Sequence, residues 1–249
     1  MKVIINGDDL AYSQESNSEV FKLMKMRKIS SATIMANGTC FEEAVIGSRK
    51  NYEDCSFGIH LNLTEFMPIT NNQIMYDSGL VDGYGFSGKI RKIKLDKYLK
   101  EAIYLELEQQ IIKLLDNGIK ISHIDSHHHI HTIPKLFFII KKLQKKFNIK
   151  KVRRSMNYYN KFYRVSFGKK LGKHLWNGMM NYYFKTIMTD YFTFAKFFIT
   201  DIHNCVFRND FTIELMCHPG SEAHGEETEL LYTDWLKKYD IELISYNDL

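Results

Sequence analysis

Short apolar runs alternate with longer amphipathic ones from one end of the chain to the other. Val3 to Gly7 reads as a strand that stops at Asp8-Asp9. The helix after it carries Val20, Leu23, Met24 and Arg27, with Ser16 and Glu19 at capping-box spacing. Ser31 to Ala36 and Phe57 to Leu63 are the next strands. Residues 96–117 form the clearest helix, with Leu99, Ile103, Leu107, Ile111 and Leu114 on one face, Asp96 as cap and Gly118 as left-handed terminator. Pro134 suits the first turn of a helix bearing Leu136, Phe137, Ile140 and Leu143. Further strands are expected at Ile119 to Asp125, Lys151 to Arg154, Thr186 to Tyr191, Thr212 to Cys217 and Ile241 to Ser245.

About eight strands alternating with helices, and no long polar linker, predict parallel βα units in one domain over 1–249, as a closed barrel or an open sheet. The stretch 155–185, rich in Tyr, Phe, Lys and Asn, shows no clean period and is expected to be an excursion over one end of the domain.

Composition changes this picture little. The 249 residues, 45% of them hydrophobic, suffice for a sizeable core. The net charge of +5 comes from 34 basic residues dispersed among 29 acidic ones, which reads as a solvated surface and not as a nucleic-acid groove. Cys40, Cys55, Cys205 and Cys217 have neither metal-site nor disulfide-framework spacing and read as reduced core residues of a cytoplasmic protein. Met1 leads straight into Val3-Ile4-Ile5 and two aspartates, without room for a signal-peptide core. The longest apolar run, Leu136 to Ile140, is far short of the roughly 18 residues of a membrane span.

The residues with catalytic potential share one position, the end of an apolar strand. Asp8-Asp9 follow Val3 to Asn6, His60 ends Phe57-Gly58-Ile59, and Asp125 with His127 to His131 follow Ile119 to Ile124. Arg153-Arg154 follow Val152, and His218 follows Ile213 to Cys217. In a parallel α/β fold the carboxyl ends of all strands open on one face, so five such groups converge there. Each has an ordinary reading too: an Asp pair forms turns or caps, a lone His60 fills a core, His218-Pro219-Gly220 ends a strand, and Arg154 is a surface cation. Two carboxylates ending a buried strand nevertheless need a cation or donors. Four histidines in five residues suggest divalent-metal ligation. If that run is extended, Asp125, His127, His129 and His131 lie on one side and His128 on the other.

One Asp and two His with open positions describe a hydrolytic metal site, whose ion lowers the pKa of water and polarises a carbonyl. A neighbouring carboxylate can then act as base and a histidine across the site as acid. Of Asp8 and Asp9, one would bind metal and the other take the proton; the residues alone leave the assignment open.

Ile4-Ile5-Asn6-Gly7-Asp8-Asp9-Leu10, Gly58-Ile59-His60-Leu61-Asn62-Leu63-Thr64, His123-Ile124-Asp125-Ser126-His127-His128-His129-Ile130-His131 and Glu214-Leu215-Met216-Cys217-His218-Pro219-Gly220 together resemble the YdjC-like carbohydrate deacetylases, a group that includes chitooligosaccharide deacetylases. Order and spacing match over nearly the whole chain. The resemblance implies an irregular (β/α) barrel of the NodB-like deacetylase superfamily and release of acetate from N-acetylated sugars or short oligosaccharides. It implies Asp9, His60 and His127 as ligands of one divalent ion, Asp8 as base and His218 as acid. Arg154 is implied near the substrate, with His129 and Asp125 as further candidates for substrate contact. Magnesium is the metal implied, although two imidazoles and a carboxylate also suit zinc. A homodimer is implied as well, with 155–185 as its interface or as the rim of the site.

Two other readings compete. A metallo-phosphoesterase or amidohydrolase of the histidine-cluster type would recruit His129 and His131 as extra ligands. An inactive carbohydrate-binding protein would have no use for Asp8, Asp9 and His218 together.

Overall fold

A computed structural model describes residues 1–249 except 51, 53, 160–162, 205–210 and 240. Strands β1 (Lys2–Leu10), β2 (Ser31–Ile34), β3 (Ser56–Leu61), β6 (Ile121–Ser126), β7 (Tyr191–Phe194) and β8 (Thr212–Cys217) form a curled parallel sheet in the order β6-β3-β2-β1-β8-β7. A small hairpin, β4 (Val81–Asp82) with β5 (Gly85–Phe86), stands apart. Helices α1 (Gln14–Lys25), α2 (Phe41–Ser48), α3 (Gln73–Asp77), α4 (Lys97–Asp116), α5 (Phe137–Phe147), α6 (Phe167–Tyr182), α7 (Ala195–Asp201) and α8 (Gly225–Tyr232) intervene between the strands. The curl makes a half-barrel, and residues 151–158 span its gap. Val152 bridges Ile124 of β6, Lys151 bridges Ile187, and the amides of Asn157 and Tyr158 donate to the Phe192 carbonyl of β7.

Alternation along the strands sorts the residues to two faces. Val3 and Ile5 of β1 join Ile34, Ile59, Ile124 and Leu215 in the core shared with Val20, Leu23, Leu107, Ile111 and Leu143 of the helices. Ile4 instead meets Ile244 and Tyr246. The final strand, β9 (Glu242–Leu243), pairs with the first residues of β1, ahead of the pairing of β1 with β2 from Asn6 onward. From there Tyr246 is wholly buried, its ring stacked 3.5 Å from His123 and its hydroxyl donating to Glu214 (2.5 Å). Gly58 makes room for this packing, since a Cβ there would stand 2.4 Å from the His123 ring.

The helix signals of 96–117 hold: Asp96 caps α4 by accepting the Leu99 amide, the five apolar positions are buried, and Gly118 has φ +74. For α1 the capping box starts at Ser13 and closes on Ser16, three residues before the spacing read from Ser16 and Glu19. Pro134 opens a short turn ahead of α5. Strand pairing of the expected 186–191 segment shifts to Tyr191–Phe194, with Ile187 making one bridge only. In 155–185 the structure has a four-turn helix, α6. Its period is masked because Phe167, Leu171, Leu175 and Met179 face outward while Trp176 and Met180 are buried. Of the described cysteines only Cys217 is fully buried, Cys40 and Cys55 being half-buried; Cys205 lies outside the described residues. Among the described residues no helix is long and apolar enough to cross a membrane.

Candidate active site

The end of β1 departs from regular strand geometry between Gly7 and Leu10, where its register against β2 shifts. Asp9 (φ +62) and Ala11 (φ +86) adopt left-handed conformations that cost non-glycine residues roughly 1–3 kcal/mol each and persist only when the surroundings enforce them. Asp8 is buried, whereas the Asp9 carboxylate meets two imidazoles: its Oδ1 lies 3.0 Å from His60 Nε2 and 2.7 Å from His127 Nδ1. Donor atoms of these three side chains all fall within 4.8 Å of one another. One hard oxygen and two imidazole nitrogens converging from three strand ends fit a divalent cation with positions to spare.

The run after β6 is not extended. It forms tight turns in which His128 (φ +49) and His129 (φ +52) are left-handed, so the period-2 arrangement fails. His127 turns to Asp9, His128 to Thr64 (3.1 Å), and His131 is buried against Ser126 (2.5 Å). Only His127 of the run joins the triad. A second donor group, Glu65 with His127 and His128, adjoins it. Glu65 is carried on a loop that buried α4 side chains hold: Gln110 donates to the Asn62 carbonyl (2.8 Å) and Glu106 accepts the amides of Ile69 and Thr70.

Behind Asp8 lies a fully buried charge network. Arg153 grips Asp8 with both Nη atoms at 2.6 Å, and also reaches Asp125 (2.8 Å) and Glu214 (2.8 Å). Asp125 in turn meets His60 Nδ1 at 2.7 Å, fixing the ring that presents Nε2 to Asp9. Burial opposes ionisation of Asp8, but the Arg153 guanidinium overrides it and holds the carboxyl well below the usual carboxylate range. For His60 burial opposes the imidazolium, and Asp125 and Asp9 push its pKa up to about 10.

His218 enters from the end of β8. Its amide donates to Glu227 (2.9 Å), whose carboxylate also lies 3.4 Å from Nδ1, and its ring stacks on His224 at 4.4 Å. Burial disfavours its charged form, yet Glu227 and Asp8 raise its pKa above the ordinary value. Gly220 (φ +78) completes the turn; a Cβ there would strike the Glu15 carbonyl at 2.5 Å. Asp8, Asp9, His60, His127 and His218 line one cavity of about 730 Å³, which Tyr12, Phe194 and Met216 also wall.

The other expected contacts divide. His129 lines this cavity, and burial drops its pKa to about 3, so its ring is neutral. Asp125 lies beneath the cavity, consumed by His60, Thr33 and Arg153. Arg154 is not brought to the cavity. It donates to the Thr189 carbonyl (2.5 Å) and lines a separate depression, while the adjacent Arg153 points inward. Sequence reasoning missed Arg153 as the partner of Asp8 because either arginine could have faced the barrel. It also missed Glu227, which carries no signal until the chain folds back on His218.

The family model described as "YdjC-like protein" matches residues 2–241. The chain belongs to the YdjC-like family. Among its relatives, a carbohydrate deacetylase of Brevibacillus brevis is 34% identical over 151 residues, covering 60% of this chain and 58% of that protein. One from Vibrio cholerae is 34% identical over 150 residues, 60% of this chain and 57% of its own length. The chain thus matches under two thirds of the length of these relatives. A carbohydrate deacetylase of Halalkalibacterium halodurans aligns further, at 26% identity over 223 residues, 88% of this YdjC-like chain and 85% of its own. A solved structure of a proposed cellobiose-phosphate cleavage protein from Enterococcus faecalis superposes with TM-score 0.77 at 23% identity, covering 99% of this chain and 98% of its own, and so shares the fold.

Proposed function

We propose that this YdjC-like chain is a carbohydrate deacetylase, hydrolysing the acetamido group of an N-acetylated sugar or short oligosaccharide to acetate and the free amine. The observation that carries the reading is the convergence of Asp8, the Asp9-His60-His127 triad and His218 in one cavity. The names of the relatives supply the substrate class.

Asp9, His60 and His127 would hold a divalent ion, which would supply a water of lowered pKa and polarisation of the acetyl carbonyl. Asp8, kept ionised by Arg153, accepts the proton of the water as it adds to the acetyl carbon. Its low pKa makes it a weak base, and the two Arg153 bonds fix its direction. His218, protonated with the help of Glu227, gives its proton to the departing nitrogen as the C–N bond breaks. Neutral His129 offers a ring nitrogen to a sugar hydroxyl, and Tyr12, set edge-on to Phe66 at 4.9 Å, provides an aromatic face for a sugar ring. Magnesium follows from family resemblance and zinc from ligand preference. A homodimer is the expected assembly, supported by the exposed apolar row on α6.

The test is acetate release from N-acetylated disaccharides with metal supplied. Asp8→Asn and His218→Ala are each expected to retain metal and lose about 10²–10⁴-fold in kcat. Near wild-type turnover in either variant removes that residue from its role.

A further inference from the structure

Beside the catalytic cavity a second depression, about 280 Å³, opens between the segment after Val152 and α6. Arg154, Tyr159, Lys170, Lys173 and His174 line it, and among the described residues no carboxylate does. The Arg154 Nε bond to the Thr189 carbonyl fixes the guanidinium, and the described residues give its two Nη groups no hydrogen-bond partner. Asp190, the acid whose charge favours protonated Arg154, spends Oδ2 on the Thr212 amide (2.8 Å) and hydroxyl (2.9 Å). Lys170 and Lys173 stand over the Tyr159 ring at 5.4 and 5.2 Å, and neither makes an ion pair with a described residue. The wall is firm: buried Asn177 exchanges two hydrogen bonds with the Ser155 backbone, tying α6 to the Arg154 segment. Burial lowers the pKa of Arg154, and burial together with the Lys169 charge lowers that of Lys173. Three cations, Arg154, Lys170 and Lys173, thus line one depression whose lining holds no carboxylate among the described residues, the charge of Asp190 acting on Arg154 from outside that lining.

We infer that this depression is an oxyanion site, in which the Arg154 fork and the Lys170 and Lys173 ammonium groups hold a phosphate. A guanidinium fixed through Nε leaves its Nη edge for oxygens, and two flexible ammonium groups close on the remaining ones. The inference stands without the hydrolytic reading. The phosphate is either the free ion or one borne on a sugar. Phe192 joins the two cavities, its ring 5.9 Å from the His129 ring and its amide bonded to Asn157 (2.9 Å).

Titration calorimetry with inorganic phosphate and, separately, glucose 6-phosphate, at constant ionic strength, tests the site on the whole protein. Saturable phosphate binding is expected, weakened about tenfold or more in Lys170→Gln/Lys173→Gln and in Arg154→Gln, and unchanged in Asp9→Asn, which alters the other cavity. Tighter binding of glucose 6-phosphate, with its advantage lost in the lysine double variant, assigns a sugar-borne phosphate; equal binding assigns the free ion. Wild-type protein that binds no phosphate overturns the inference. So does a lysine double variant within about twofold of wild type, or binding lost only in Asp9→Asn.

Discussion

Asp8 and Arg153 form a two-pronged ion pair, both contacts at 2.6 Å and both side chains buried, at the point where the barrel interior meets the cavity. The pair serves fold and site together. Arg153 bridges the buried carboxyl groups of Asp8, Asp125 and Glu214, His60 shares Asp125 with it, and burial pushes the Glu214 pKa up to about 7.

Arg153→Met is expected to destabilise the protein by about 3–5 kcal/mol, because it strands buried carboxylates without a counter-ion. Arg154→Gln removes one half-buried hydrogen bond and is expected to cost only about 0.5–1.5 kcal/mol. Urea unfolding followed by circular dichroism measures both. Equal losses would mean that the network around Asp8 has no special weight.

The pairing of His218 with Glu227 predicts a pH effect. Glu227 favours the imidazolium, so Glu227→Gln lowers the His218 pKa. The protonated form then disappears at lower pH, and the alkaline limb of kcat/KM moves down the pH scale. An alkaline limb that stays in place assigns the proton donor elsewhere.

Chelation followed by metal analysis separates the hydrolytic readings. One tightly bound ion per chain is expected, with acetate release abolished by its removal and restored on its return. Asp9→Asn and His127→Ala should both weaken its retention. Two ions per chain would instead engage Glu65 and His128 and favour a phosphoesterase.

Two copies are expected to pack through the outward row Phe167, Leu171, Leu175 and Met179 of α6. Light scattering should give a dimer, and Leu171→Lys/Leu175→Lys a monomer. A wild-type monomer at working concentration rules out that interface.

Much of the architecture was legible because local chemistry and periodicity agree. The apolar strand runs, the Asp96 cap, the face of α4 and the left-handed Gly118 are all set by residues a few positions apart. Strand ends share one face in any parallel sheet, so the convergence of Asp8, Asp9, His60, His127 and His218 was readable before folding. The structure of 155–185 was not, because α6 presents apolar residues on both its buried and its exposed sides.

The alternation of strands with helices and the placing of chemically apt side chains at strand ends were properties of the sequence, since both follow from period and position, whereas the order of the strands in the sheet was not. Which arginine turned inward, how the histidine run bent at His128 and His129, and that Glu227 came to rest against His218 were decided only in three dimensions. Those outcomes depend on a single residue of register, on backbone conformations that non-glycine residues take only when the surroundings compel them, and on contacts between segments distant along the chain.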